Sequence, residues 1–118
     1  MGGKADARCL AEAVRTLGPG FNPSDYNFVG GTEGADALSL APTAGPDVLC
    51  GFGGDDYIPT LVQPDIFLGG AGEDYVYLNG GTFYGGEGND KVSGNNGTFY
   101  GGAGEDSIDT NLGGTFVQ

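Results

Sequence analysis

The sequence predicts an all-β protein, a parallel β-solenoid of short strands behind an N-terminal α-helical cap. Three observations lead there. A nine-residue glycine-rich segment recurs at an interval of sixteen, an apolar residue returns in fixed phase in each half-turn, and an aspartate returns in fixed phase in each turn. The 26 glycines among 118 residues are about three times ordinary usage, and they lack collagen's every-third spacing. High charge with much glycine also suits a disordered chain, but disorder predicts few large apolar residues and no register. This sequence has both.

The helix comes first. Ala5 to Leu17 carries Leu10, Ala13, Val14 and Leu17 on one stripe, and Gly18-Pro19-Gly20 ends it. We divide the chain into a cap segment, residues 1–29, and a coil, residues 30–118. An open coil exposes strand edges and core at each end, so a terminal helix is expected to cover one of them. A partner-binding helix is the alternative.

The coil is read from its register. Residues 69–77, 85–93 and 101–109 each fit G-G-x-G-x-D-x-U-x, with U apolar, and seven-residue half-repeats at 78–84 and 94–100 lie between them. Residues 51–58 are a degenerate copy, and 31–39, 42–50 and 60–68 are weaker ones. A turn of six residues followed by three extended ones gives two short strands per revolution, each sending its U residue inward. Two ladders follow: Leu38, Ile58, Val76, Val92 and Ile108 on one sheet, and Leu49, Phe67, Phe83, Phe99 and Phe116 on the other. The same sorting stacks Asp36, Asp56, Asp74, Asp90 and Asp106 along one edge, at the roughly 4.8 Å spacing of neighbouring strands.

Charge decides what that column needs. The chain carries 16 acidic and 4 basic residues, a net charge of -12, which repels phosphate backbones and anionic surfaces, so nucleic acid and membrane are not expected partners. No apolar run approaches the roughly 18 residues of a membrane span. Met1-Gly2-Gly3-Lys4 is not followed by the apolar stretch of a signal peptide, so the chain reads as a soluble, processed or trimmed form. Stacked carboxylates repel one another unless a cation lies among them. Ca²⁺ takes six to eight oxygens, and glycine turns offer carbonyls with no side chain in the way. Mg²⁺ wants tighter octahedral geometry, and Zn²⁺ wants His or Cys. The alternative for each Asp is a local turn cap. For Asp55, Glu73, Glu87 and Glu105 we expect side chains that face water without ligating.

With these segments in view, the chain resembles the repeats-in-toxin (RTX) calcium-binding β-roll family, whose nonapeptide is the pattern above. The resemblance covers residues 51–109 strongly and reaches back to about residue 31. It implies a right-handed parallel β-roll in which each Ca²⁺ lies between successive turns. Backbone oxygens of positions one and three and the Asp of one turn hold the ion, with positions two and four and the Asp of the next. Carried over, one site uses Gly51, Gly53 and Asp56 with Gly70, Gly72 and Asp74. A second uses Gly69, Ala71 and Asp74 with Gly86, Gly88 and Asp90, and a third Gly85, Glu87 and Asp90 with Gly102, Gly104 and Asp106. A fourth would join Gly31, Glu33 and Asp36 to Phe52, Gly54 and Asp56, giving about three to four ions along one edge. The family pattern has nine-residue halves with ions on both edges, whereas here the second edge shortens after residue 77 to turns built on Asn79, Asn95-Asn96 and Asn111. Tight Gly and Asn turns are expected there. Asp47 and Asp65 lie earlier on that edge, but Pro46, Gln63 and Pro64 replace pattern residues around them.

Residues 29–36 and 45–51 also resemble the opening repeats of secreted bacterial RTX-type proteins, which implies an extracellular setting. There Cys9 and Cys50 are expected to form a disulfide tying cap to coil, closing a loop of about 42 residues for about 4 kcal/mol in the chain-entropy model; two buried free thiols are the alternative. An enzyme is not expected, because a regular ladder gives every Asp nearly the same environment and the chain has no His to serve a cysteine as base. The expected function is a calcium-binding module that folds on meeting extracellular Ca²⁺. Two further readings stay open. Outward rows of Thr82, Thr98 and Thr115 beside Tyr84, Tyr100 and Val117 resemble ice-binding or carbohydrate-binding faces, although Thr and Tyr are also simply good strand formers. The uncapped last coil, with Phe116 at its edge, would suit a homodimer.

Overall fold

A computed structural model describes residues 7–31, 33–34 and 46–117. The first element, α1 (Ala7–Leu17), ends where the Gly18 N–H reaches the Val14 carbonyl at 3.1 Å. Asn22 then opens a short 3-10 turn, Pro23–Asp25, by accepting the Ser24 N–H on its side-chain oxygen. Among the described residues ten strands follow: β1 (Asn27–Gly30), β2 (Asp47–Cys50), β3 (Tyr57–Leu61), β4 (Ile66–Leu68), β5 (Tyr75–Asn79), β6 (Thr82–Tyr84), β7 (Lys91–Asn95), β8 (Thr98–Tyr100), β9 (Ser107–Asn111) and β10 (Thr115–Val117).

The strands form two parallel sheets, ordered β1-β2-β4-β6-β8-β10 and β3-β5-β7-β9. The chain therefore alternates between sheets from β2 onward, and each revolution adds one strand to each. Both inward ladders are in register. Ile58, Val76, Val92 and Ile108 stand opposite one another across the smaller sheet, and Val29, Leu49, Phe67, Phe83, Phe99 and Phe116 across the larger. The four phenylalanine rings stack with centroids 5.0, 4.8 and 5.1 Å apart. Leu38 and Asp36 lie outside the described residues.

The larger sheet begins one rung earlier than the ladders drawn from the sequence, because β1 pairs with β2 and supplies Val29. A third inward row was also missed. Leu61 and then Asn79, Asn95 and Asn111 share a register position at the ends of β3, β5, β7 and β9, and Leu61, Asn79 and Asn95 are buried.

The helix caps the coil from the side, packing on the outer face of β1 and β2. Its Cys9 and Ala13 join Phe28, Val48, Cys50, Ile66 and Leu68 in a second buried cluster. The expected stripe holds at Leu10, Ala13 and Leu17, which face this cluster together with Cys9, whereas Val14 is 47% exposed. The disulfide between Cys9 and Cys50, whose Cα atoms are 5.5 Å apart, keeps the Cys9 face of α1 toward the sheet.

Candidate metal centre

The turns between the larger sheet and the smaller one carry the nonapeptide. Their second and fourth residues need left-handed backbone, and Gly70, Gly72, Gly86, Gly88, Gly102 and Gly104 supply φ values of +80° to +102°. Close stacking adds a second demand. A β-carbon on Gly72 or Gly88 would lie 2.2 Å from the carbonyl oxygen of its counterpart one coil earlier. The third residue of each turn donates its N–H to the second carbonyl of the preceding turn, from Ala71 to Phe52, from Glu87 to Gly70 and from Ala103 to Gly86, at 2.8 to 3.1 Å. In the turns that start at Gly51, Gly69, Gly85 and Gly101, no backbone N–H among the described residues reaches the carbonyls of the first, third and fourth residues.

The aspartates follow the same ladder logic. Asp74 Oδ1 accepts the Asp56 N–H at 2.9 Å, Asp90 Oδ1 that of Asp74 at 2.8 Å, and Asp106 Oδ1 that of Asp90 at 2.8 Å. Asp56, Asp74 and Asp90 are each 1% exposed. The second carboxylate oxygens behave differently: Oδ2 of Asp74, Asp90 and Asp106 is buried and receives no hydrogen bond among the described residues. Each folds back over the first glycine of its own turn, so that a β-carbon at Gly69, Gly85 or Gly101 would lie 2.4, 2.4 or 2.5 Å from it. At Gly69 and Gly85 the carbonyl oxygen of the next coil lies 2.8 Å from the same point. Carboxylate and carbonyl acceptors thus crowd one spot with no donor between them.

Electrostatics register the crowding. Burial, then the charges of Asp90 and Asp56, push the Asp74 carboxyl up to about 9, against the opposing hydrogen bond from the Asp56 backbone. Burial, then Asp106, raises Asp90 to about 8, opposed by the Asp74 backbone N–H. Without a counter-charge the column resists ionisation. A hard cation fits this donor set, since it replaces the missing proton and draws on the idle carbonyls. Among the described residues no three His, Cys, Asp or Glu side chains converge, so each ion would hold two carboxylates and fill its shell from backbone oxygens.

The turns that carry these residues stack one above the next. Gly51, Gly53 and Asp56, then Gly69 to Asp74, then Gly85 to Asp90, then Gly102, Gly104 and Asp106 lie along one edge in consecutive coils. The fourth set keeps phase as far as it is described, with Glu33 placed against Gly53, while Asp36 lies outside the described residues. Asp55 is exposed, and its Oδ1 accepts the Glu73 N–H at 2.8 Å, as Asn89 Oδ1 does for Glu105 at 2.7 Å. The fifth motif position alternates short and long side chains, Asp55, Glu73, Asn89, Glu105, and that alternation was the available signal.

On the opposite edge the Asn turns form a hydrogen-bonded ladder. Asn79 Nδ2 donates to Asn95 Oδ1 at 2.9 Å and to the Thr98 carbonyl at 3.1 Å, and Asn95 Nδ2 donates to Asn111 Oδ1 and the Thr115 carbonyl. The ladder starts at Asn79 because the preceding rung is Leu61, which leaves Asn79 Oδ1 without a donor among the described residues. Amides donate as well as accept, so neighbouring Asn side chains satisfy one another from coil to coil. Farther back, Asp65 Oδ1 accepts the Asp47 N–H at 2.8 Å, and burial raises the Asp65 carboxyl, with the charge of Asp47 adding to it against that hydrogen bond.

The outward rows of the larger sheet are in register, Thr82 with Thr98 and Thr115, and Tyr84 with Tyr100 and Val117. The Tyr84 and Tyr100 rings stack at 4.5 Å. Tyr84 also packs against the α1 cluster, which narrows the free face.

Against known families, the RTX calcium-binding nonapeptide repeat, in four copies, matches residues 63–82 and 84–117. Residues 63–117 carry RTX calcium-binding repeats. No curated relative and no solved structure matches the chain. RTX repeats are structural calcium-binding modules, and Asp74, Asp90 and Asp106 are the stacked aspartates that lie within the matched residues. No helix among the described residues is long and apolar enough to cross a membrane.

Proposed function

We propose that this chain is a secreted, non-catalytic RTX module whose coil folds when Ca²⁺ fills the aspartate edge. Three ions are assigned to the three sets from Gly51 to Asp106, with a fourth if Asp36 completes the set begun at Gly31 and Glu33. The observation that carries the reading is the buried, donor-less Oδ2 of Asp74, Asp90 and Asp106, each beside a glycine that leaves room for nothing larger. In the unfolded chain these oxygens are hydrated and far apart, so ions bind the coil and hardly bind the unfolded state. Binding energy then becomes folding energy. A cell interior poor in Ca²⁺ would hold the chain loose, and millimolar Ca²⁺ outside would close it.

Far-UV circular dichroism with Ca²⁺ and in excess chelator tests this. The strand signal is expected to appear with Ca²⁺ and fade in chelator; a folded spectrum unchanged by chelator overturns the proposal. A second reading, ice or glycan binding by the outward rows, draws on the register of Thr82, Thr98 and Thr115. Thermal hysteresis lost on Thr98→Tyr, or a hit in a glycan screen, would support it.

A further inference from the structure

Phe52 occupies the second position of the turn that starts at Gly51, where the next three turns have Gly70, Gly86 and Gly102. All four residues are left-handed, with φ of +66°, +82°, +84° and +80°. Among the described residues Phe52 is the one non-glycine residue in that region. Glycine visits it unaided, but a residue with a β-carbon stays there only where its surroundings compel it.

Those surroundings are α1. The Arg8 guanidinium sits over the Phe52 ring, 4.0 Å from its centroid, and is itself held by an ion pair with Glu33 at 2.5 Å. The next residue, Cys9, is bridged to Cys50, two residues before Phe52. The ring also packs against the cluster under the helix. Helix, bridge and cation therefore converge on one strained residue. The φ angle of Phe52 turns the peptide plane it shares with Gly51, and so aims the Gly51 carbonyl, which is the first-position oxygen of the first complete site.

We infer that α1 is a clamp that holds the first turn in its cation-binding conformation through Arg8 and Phe52, and that the Cys9–Cys50 disulfide makes this clamp effective only in oxidising surroundings. The inference rests on the calcium reading above. Arg8 and Phe52 act as positioning residues and contribute no ligand atom of their own side chains. The first turn would then be formed before any ion arrives and would be the place from which the coil closes toward the C-terminal end.

The test is a calorimetric Ca²⁺ titration of the full chain and its variants, paired with hydrogen exchange of residues 51–56 in the calcium-free state. Arg8→Ala, and separately Cys9→Ser with Cys50→Ser, should weaken one calcium site by about tenfold, the population ratio set by the left-handed preference once the clamp is gone, and should speed exchange in the calcium-free turn. Phe52→Gly removes the need for a clamp, so adding Arg8→Ala to it should change affinity by less than about twofold. Equal weakening in both backgrounds makes α1 a general stabiliser and overturns the inference, as does unchanged affinity in every variant. Absence of any calcium heat in the parent chain overturns the calcium reading, and unaltered exchange in calcium-free Arg8→Ala overturns the clamp by itself.

Discussion

Replacing Asp90 by Asn should act with opposite signs in chelator and in calcium. Asn keeps an Oδ1 to accept the Asp74 N–H, now 2.8 Å away, and puts an amide donor where the donor-less Oδ2 stands beside the Gly101 carbonyl. In the calcium-free chain burial raises Asp90 from 3.8 to about 8, so at pH 7 folding must take up a proton that the unfolded chain does not hold. About three pH units separate 3.8 from 7, at about 1.4 kcal/mol each, which makes the cost about 4 kcal/mol at most. Asn avoids it, and we expect calcium-free Asp90→Asn to be more stable than the parent by about 2–4 kcal/mol. With millimolar Ca²⁺ the order reverses, because Asp90 is assigned to two adjacent sites and Asn brings no charge to either. Thermal unfolding followed by circular dichroism, once in chelator and once in calcium, reads both signs. A variant less stable than the parent in chelator, or one keeping the parent's full calcium stabilisation, refutes the reasoning.

Further predictions come from the same geometry. Asp74 and Asp90 are both raised in the folded chain, to about 9 and about 8, so their contribution is fully present below the unfolded value of 3.8 and is lost as pH rises through the folded values. Urea midpoints in chelator should therefore fall from about pH 5 to about pH 8, by up to about 1.4 kcal/mol per pH unit for each retained proton; in calcium the trend should invert, because ligands must be deprotonated to bind. Gly85→Ala places a methyl 2.4 Å from Asp90 Oδ2 and 2.8 Å from the Gly101 carbonyl and should cost about 1–3 kcal/mol, with at least one calcium site lost. Gly94→Ala meets only the side-chain tips of Leu78 and Leu112, at 3.1 and 3.2 Å, and denaturation should show it within about 1 kcal/mol of the parent. Phe99→Ala opens the middle of the ring stack and should cost about 3–5 kcal/mol; Phe116→Ala, at the 37% exposed end, should cost clearly less.

The coil was legible because its information is local and repeated. Gly-x-Asp spacing fixes the turns, and one apolar residue per half-turn fixes which side faces in, so both ladders and the aspartate edge follow from register alone. Residues outside the repeat were harder to place. Val29 belongs to the first rung, yet it has no nonapeptide upstream to set its phase, and its partner Leu49 lies twenty residues on. Asn79 and Asn95 read as turn residues because a buried amide is costly unless paired, and pairing between coils is invisible in one repeat. Hydropathy places Leu10, Ala13 and Leu17 on the packed face of the helix, but it does not show that Val14 stays exposed while Cys9 joins that face through its bond to Cys50. Nothing in the degenerate copy at 51–58 shows that the Phe52 ring faces Arg8, on a helix more than forty residues earlier.

The most direct measurement is a calorimetric count of the Ca²⁺ ions taken up by chelator-stripped chain, with circular dichroism recorded along the titration. About three ions, binding as the strand signal grows, is the result expected from paired carboxylates and idle carbonyls repeated coil after coil. A flat heat trace over an already folded spectrum would show that protons alone keep those buried oxygens apart, and that no metal is required.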